Sequence, residues 1–402
     1  MNIKPLQDWL IYYIKYKSLG SISFAIIMPD KIITDSLGEY NKETHLTATV
    51  ESVYQIASLS KIYTAIEILK AQHNDLLHIT DLISKHLNYF PNKNITIKDL
   101  LSHNSGLERD GDFNFWLSEK FPSETELIEY VKTLPNDFDK YYKYSNLGYA
   151  ILGLVLSSKG IKFDRKKQNV VGYGKKKLTE VKEYNYIDFQ SFVNSFGLYK
   201  NIVELSEFTQ AVLNRDDQLL NTDEWDLLLK PEVITNGDED DMAFGFKKWK
   251  ESNIFEADGV GFGFVSSMLI DYDMQTAFVV LINSGEESYA NYFTRSLRKY
   301  LLLCKENAID QNSKLNGLYK SKDYDVFVID AGDKLYLFNP ANETPFHDGD
   351  IEEYVKVGEN RYLITNSKDP YVNEYLKFDY NNESITGFRQ GGWGFKKETL
   401  GF

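Results

Sequence analysis

Strand-like apolar runs bracket a long helical stretch in this chain, and that order limits the fold more than any other feature. Ser21 to Met28 reads as a strand, followed by a turn at Pro29-Asp30-Lys31 and a resumed strand at Ile32 and Ile33. From about Ser58 to Leu229 the pattern is mostly helical and loop-rich, with helices predicted over Lys61 to Gln72 and Asn146 to Ser158. Two more strands, Gly263 to Ile270 and Thr276 to Asn283, are joined by the polar turn Asp271 to Gln275, and Tyr289 to Leu303 reads as a closing helix. Strands at both ends with helices between them predict an α+β domain: one antiparallel sheet built from distant segments, flanked by helices and a helical lobe.

Both ends of the chain add to this body. Leu6, Trp9, Leu10, Tyr13 and Ile14 recur at helical spacing, which predicts an amphipathic helix docked on the body. Near Lys305 the pattern changes: Lys305 to Lys314 is polar, and from Leu315 onward short strands alternate with turn signals at Asp330-Ala331-Gly332-Asp333, Gly358-Glu359-Asn360 and Asn381-Asn382. This predicts a separate small β-barrel or sandwich. The expected division is a first domain over 1–308, a linker at 309–314 and a β domain over 315–402.

Composition narrows the function classes. A net charge of −14 argues against general nucleic-acid binding, which needs a basic surface to displace counterions. The lone Cys304 can form neither an internal disulfide nor a cysteine-based zinc site. None of the six histidines forms an H-x-x-x-H pair, so no metal and no cofactor is expected. Arg165-Lys166-Lys167 and Lys175-Lys176-Lys177 read as solvated loop, and Asp238-Glu239-Asp240-Asp241 as a surface acidic loop. No apolar tract is long enough to span a bilayer, and Met1 to Tyr16 lacks the layout of a secretory signal, so a cytoplasmic protein is expected.

Chemistry first suggests itself at Ser58-Leu59-Ser60-Lys61. Residues three apart share a helix face, so the Ser58 hydroxyl and Lys61 amine can meet, and a lysine of lowered pKa can take the serine proton. The pattern alone is weak, since about one or two such spacings arise by chance in a chain of this size. Ser296-Leu297-Arg298-Lys299 is a second, on the predicted closing helix, where a solvent face explains the cations. Tyr144-Ser145-Asn146 stands at the entrance of an apolar helix, where the tyrosine can lean into a cleft; a packed ring and a helix cap explain it equally well. Tyr289-Ala290-Asn291, Tyr371-Val372-Asn373 and Tyr380-Asn381-Asn382 share its spacing without that context.

Order and company decide between these readings. Ile56-Ala57-Ser58-Leu59-Ser60-Lys61, then Leu100-Leu101-Ser102-His103-Asn104-Ser105-Gly106-Leu107, then Tyr144-Ser145-Asn146-Leu147-Gly148-Tyr149 resemble the serine β-lactamase and penicillin-binding-protein superfamily, most closely its class C-like branch of D-aminopeptidases, DD-peptidases and esterases. Ser195-Phe196-Gly197-Leu198 with Val203-Glu204-Leu205, and the run from Gly259 to Ile270, resemble later segments of that family. The closing β domain resembles the lipocalin-like module of some D-aminopeptidase relatives. The resemblance implies that Ser58 is the acylated nucleophile, Lys61 its proton partner, Tyr144 an acid/base and Asn146 a ligand of a substrate carbonyl. It places the oxyanion on the backbone N–H groups of Ser58 and Val260, next to Gly259, and makes His103 structural. The partner it implies is a small molecule or short peptide, with D-amino-acid selectivity among the expectations.

Two departures qualify this. Aligned on Gly259, Ala257 stands where the family has Lys or His, and Asp258 where Thr is usual. Asp258 is expected to line the substrate site and repel a substrate carboxylate, which predicts a poor β-lactamase that prefers neutral esters and amides or substrates bearing an amine. Ile161 to Lys182 is short and basic and lacks the family's P-L-G-M-like phrase. The expected function is a serine hydrolase acting through an acyl-Ser58 intermediate; the alternatives are a non-catalytic ligand sensor or scaffold, and a β domain that binds an apolar ligand or covers a cleft.

Overall fold

The computed structural model describes residues 3–137, 139–164, 168–177, 180–234, 240–284, 290–306, 313–341, 351–365, 375–382 and 384–398. Arg165 to Lys167, Asp238-Glu239, Tyr289, most of the expected linker, His347 and Tyr371 to Asn373 lie outside the described residues.

The body is built on an eight-stranded antiparallel sheet. Its strands are β1 (Ser21–Met28), β2 (Lys31–Asn41), β3 (Leu46–Thr47), β4 (Asp241–Met242), β5 (Lys247–Lys248), β6 (Ile254–Gly261), β7 (Phe264–Asp271) and β8 (Thr276–Ile282), in the order β3-β2-β1-β8-β7-β6-β5-β4. The first and last parts of the body therefore meet in mid-sheet, where Ile22 lies opposite Ile282 and Ile27 opposite Ala277. This is the α+β arrangement expected from the sequence.

The central strands are apolar almost throughout because both faces of the sheet are covered. Successive residues point to opposite faces. Ala25, Ile27, Met268, Ile270, Val279 and Leu281 join a core with the helical lobe. Phe24, Ile26, Leu269, Phe278 and Val280 join a second core behind the sheet. The lobe includes α2 (Ser60–His73) and α3 (Asn146–Ser158), the latter buried over ten of its 13 residues. Behind the sheet lie α1 (Lys4–Lys17), whose Leu6, Trp9, Leu10, Tyr13 and Ile14 are all buried, and α4 (Ala290–Glu306). One element was not expected: Gly172–Lys177 pairs with Glu180–Tyr184 as a hairpin. Its lysine-rich text reads as a loop, but a bridge from Tyr173 to Ser284 ties it to the end of β8.

Beyond the body, eight strands between Gly317 and Lys397 form a closed antiparallel barrel. Alternation divides its side chains. Tyr319, Val328, Leu335, Leu337, Phe378 and Phe388 pack inside, as an eight-stranded barrel requires. Leu318, Phe327, Ile329 and Phe338 join the core containing α1 and α4. Trp9 Nε1 donates to the Pro340 carbonyl at 3.2 Å, and Tyr12 OH to Asp325 at 2.9 Å. Helix α1 is thus wedged between sheet and barrel. Among the described residues, no helix is long and apolar enough to cross a membrane.

The wedge should carry much of the stability. Trp9 is fully buried and touches both partners. Trp9→Ala is expected to lower unfolding free energy by about 3–5 kcal/mol in denaturant titrations. A loss below about 1 kcal/mol would mean that α1 does not hold barrel and body together.

Candidate active site

Ser58 lies in a one-turn 3-10 helix, Ala57–Leu59, that runs straight into α2. Ala57 before it has φ of +45°, a left-handed conformation that is costly for any residue with a Cβ. Such strain persists only where surrounding structure imposes it. Here β6 does so. A Cβ on Gly259 would stand 2.5 Å from the Ile56 carbonyl and 3.0 Å from the Ala57 side chain, so only glycine lets the strand approach the Ser58 turn this closely.

Lys61 follows three residues later and is almost fully buried. Its Nζ lies 3.1 Å from Ser58 Oγ, 2.8 Å from Asn146 Oδ1 and 2.8 Å from the Ser195 carbonyl. No carboxylate is among these contacts. Burial, followed by the positive charge of Arg109, holds the amine well below the usual lysine range. As a neutral amine, Lys61 can donate its two protons to Asn146 Oδ1 and the Ser195 carbonyl. Its lone pair is then left facing the Ser58 hydroxyl.

Tyr144 and Asn146 arrive from the entrance of α3. Tyr144 OH donates to Ser58 Oγ at 2.8 Å, and burial pushes its pKa up to about 12, so the phenol stays protonated at neutral pH. Ser145 caps α3 by accepting from Gly148 N–H at 2.9 Å. Its own N–H donates to His103 Nδ1 at 3.0 Å. An accepting Nδ1 requires a neutral ring, and burial followed by the Lys61 charge keeps the His103 pKa well below the histidine range. The ring also packs 4.4 Å from that of Tyr144. His103 therefore acts on the site through Ser145 and Tyr144, the structural role its motif implied.

The hairpin joining β6 and β7 lies beside the Ser58 turn. Gly261 lies opposite Phe264 across a two-residue turn, so these two exchange hydrogen bonds and the Val260–Val265 pair beside them does not. The Val260 N–H consequently points away from β7. Its side chain is exposed, and the adjacent Gly259 rests on the Ser58 turn. Ser58 itself is half-buried.

One expectation is corrected. Asp258 does not face this site. It shares a face with Glu256 and pairs with Lys247 at 3.1 Å, while Ala257 and Gly259 point toward the lobe. Strand alternation separates neighbours to opposite faces. Asp258 is therefore not placed to repel a substrate carboxylate or pair with a substrate amine. The second serine–lysine spacing, Ser296 to Lys299, lies on α4 behind the sheet.

Three cleft residues escaped sequence reading. Asn146 Nδ2 donates to Asp110 Oδ1 at 2.7 Å, and Trp116 Nε1 donates to Asp110 Oδ2 at 2.9 Å. Trp116 stacks on Phe196 and Phe262, at 5.6 and 5.1 Å between ring centroids. The Arg109 guanidinium carbon lies 5.6 Å from the Tyr144 ring centroid. Arg109 and Asp110 directly follow the Leu100–Leu107 motif, which was the available signal; nothing local marked Trp116.

Known proteins resemble this chain in sequence and in fold. The profile of the family described as Beta-lactamase matches residues 10–160. The chain is 30% identical over 157 residues to a Beta-lactamase of Providencia stuartii, covering 38% of each protein. It is 23% identical over 281 residues to Penicillin-binding protein 4* of Bacillus subtilis, covering 59% of this chain and 62% of that one. The matched regions thus span less than two thirds of either relative. Among solved structures, the octameric penicillin-binding protein homologue from Pyrococcus abyssi superposes with a TM-score of 0.65 at 16% identity, over 99% of this chain and 100% of that one. The chain is thus similar to the Beta-lactamase family over residues 10–160, and its fold is β-lactamase-like.

The amine is the point to test. Following the Lys61 side chain by heteronuclear NMR should give a titration midpoint well below 10.5. A midpoint at or above 10.5 would mean that the amine is charged and cannot accept the serine proton.

Proposed function

We propose that this protein is a serine hydrolase that cleaves small amides or esters through an acyl-Ser58 intermediate. The observation that carries this reading is the buried, carboxylate-free contact between the Lys61 amine and the Ser58 hydroxyl. Neutral Lys61 removes the Ser58 proton as Oγ attacks the substrate carbonyl. The tetrahedral oxyanion rests on the N–H groups of Ser58 and Val260. Tyr144 then gives its phenolic proton to the departing amine or alkoxide. It is reprotonated by the Lys61 ammonium, which lies 4.8 Å from its ring centroid. Deacylation runs in reverse: Lys61 takes the Tyr144 proton, the phenolate takes one from the attacking water, and the Lys61 ammonium returns its proton to the departing Ser58 Oγ.

A second reading, a ligand sensor that has lost turnover, draws on Ala257. That residue puts only a methyl group on the cleft face of β6, where a cation would otherwise hold a carboxylate. The same feature supports weak action on β-lactams, and nitrocefin turnover is expected to be poor.

The deciding experiment combines a fluorophosphonate probe, read by intact mass, with a panel of D- and L-aminoacyl p-nitroanilides and short-chain p-nitrophenyl esters. The wild type should be labelled once and show turnover, and Ser58→Ala should lose both. An unlabelled, folded wild type would favour the sensor. As a base, Lys61 works only when deprotonated, so kcat/KM should fall as pH drops through its lowered pKa and level off above it. An acid limb that persists unchanged in Lys61→Met would remove the lysine from the mechanism.

A further inference from the structure

We propose that Arg109 recognises a carboxylate on the substrate, making the enzyme selective for anionic esters or amides; this rests on the hydrolase reading above. Arg109 lies directly after the motif that moulds the Tyr144 segment, and its carbonyl accepts the N–H groups of both Asn146 and Leu147 at 2.7 and 3.0 Å. Its backbone is thereby fixed at the entrance of α3. Its side chain reaches over the Tyr144 ring, one phenol away from the Ser58 hydroxyl.

The guanidinium is only loosely paired. Its only ion pair among the described residues is Nε to Asp110 at 3.7 Å, too long for a hydrogen bond. Asp110 is engaged elsewhere: its oxygens accept from Asn146 Nδ2 and Trp116 Nε1. Glu108, the other nearby acid, pairs with Lys143 at 2.6 Å. Lys61 is a buried amine held toward its neutral form. The Arg109 side chain is 64% exposed and presents the planar fork that suits a carboxylate. A protein of net charge −14 otherwise repels anions, so a local cation beside the nucleophile discriminates rather than merely attracts. Trp116, stacked on Phe262 and Phe196, gives the same cleft an apolar wall for the carbon skeleton.

The carboxylate can sit on the acyl portion or on the leaving group, and two substrate pairs separate these. The first compares mono-p-nitrophenyl glutarate with p-nitrophenyl pentanoate, and the second 3-carboxy-4-nitrophenyl butyrate with 4-nitrophenyl butyrate. In each, the ratio of kcat/KM values is taken for wild type and for Arg109→Gln, which cancels differences in intrinsic ester reactivity. In one pair, the ratio favouring the carboxylate should fall by about tenfold or more in Arg109→Gln, and the pair affected identifies the side. Arg109→Lys should restore part of it, and Arg109→Glu should push the ratio below that of Arg109→Gln. If all esters turn over but neither ratio changes with Arg109, the proposal is wrong while the hydrolase reading stands. If no ester turns over and Ser58 remains unlabelled, both fall.

Discussion

Everything at the site depends on keeping a buried amine away from any carboxylate. An ammonium removed from water is destabilised by several kcal/mol unless an opposite charge compensates, and a directly contacting carboxylate would hold Lys61 protonated. Asp110 is near enough to do that, but Asn146 is interposed. Its Oδ1 accepts from Lys61 while its Nδ2 donates to Asp110. The amide satisfies both groups without letting them form an ion pair. Asn146 is thus an electrical spacer, and one orientation of its amide serves both neighbours.

The scaffold around this contact is a set of locally unfavourable features that hold one another. Ala57 carries a left-handed backbone angle because Gly259 of β6 presses on the turn. His103 also has a positive φ, +57°, and its ring accepts from Ser145 and packs on Tyr144 and Tyr149. The Tyr149 hydroxyl donates to the Leu101 carbonyl, binding the motif at Leu100–Leu107 to α3. Two segments about 40 residues apart are therefore clamped by one imidazole that must remain neutral.

Legibility in the sequence followed the range of the interactions. Ser58 and Lys61 meet through helix geometry alone, and the apolar period of α1 and α3 reflects burial that any lobe or wedge would impose. The α+β order was readable for the same reason. Three motifs in order made the meeting of Tyr144 with Ser58 legible, although their contact spans 86 residues. The roles of Asp110 and Trp116 were not legible, because they depend on partners brought together only by folding. Asp258 was misplaced because a motif alignment conveys position along a strand, whereas the face depends on where the neighbouring layers lie. The Gly172–Tyr184 hairpin was missed because its charged text carries no strand signal, while its ladder is tied to the body by the Tyr173–Ser284 bridge.

That same strand explains how charge is distributed about the cleft. Behind β6, fully buried Glu256 is gripped by Arg295 of α4 through two hydrogen bonds, and Asp258 by Lys247 of β5. Partly exposed pairs of this kind add little net stability but favour one register, because a slipped strand would leave Glu256 buried without its partner. In front, the strand presents only the Ala257 methyl, the bare Gly259 backbone and the Val260 N–H. The charges of β6 thus hold the strand from the far side. Among the described residues, Leu318, Phe327, Ile329 and Phe338 of the barrel share their core with α1 and α4, on the anchoring side of the sheet.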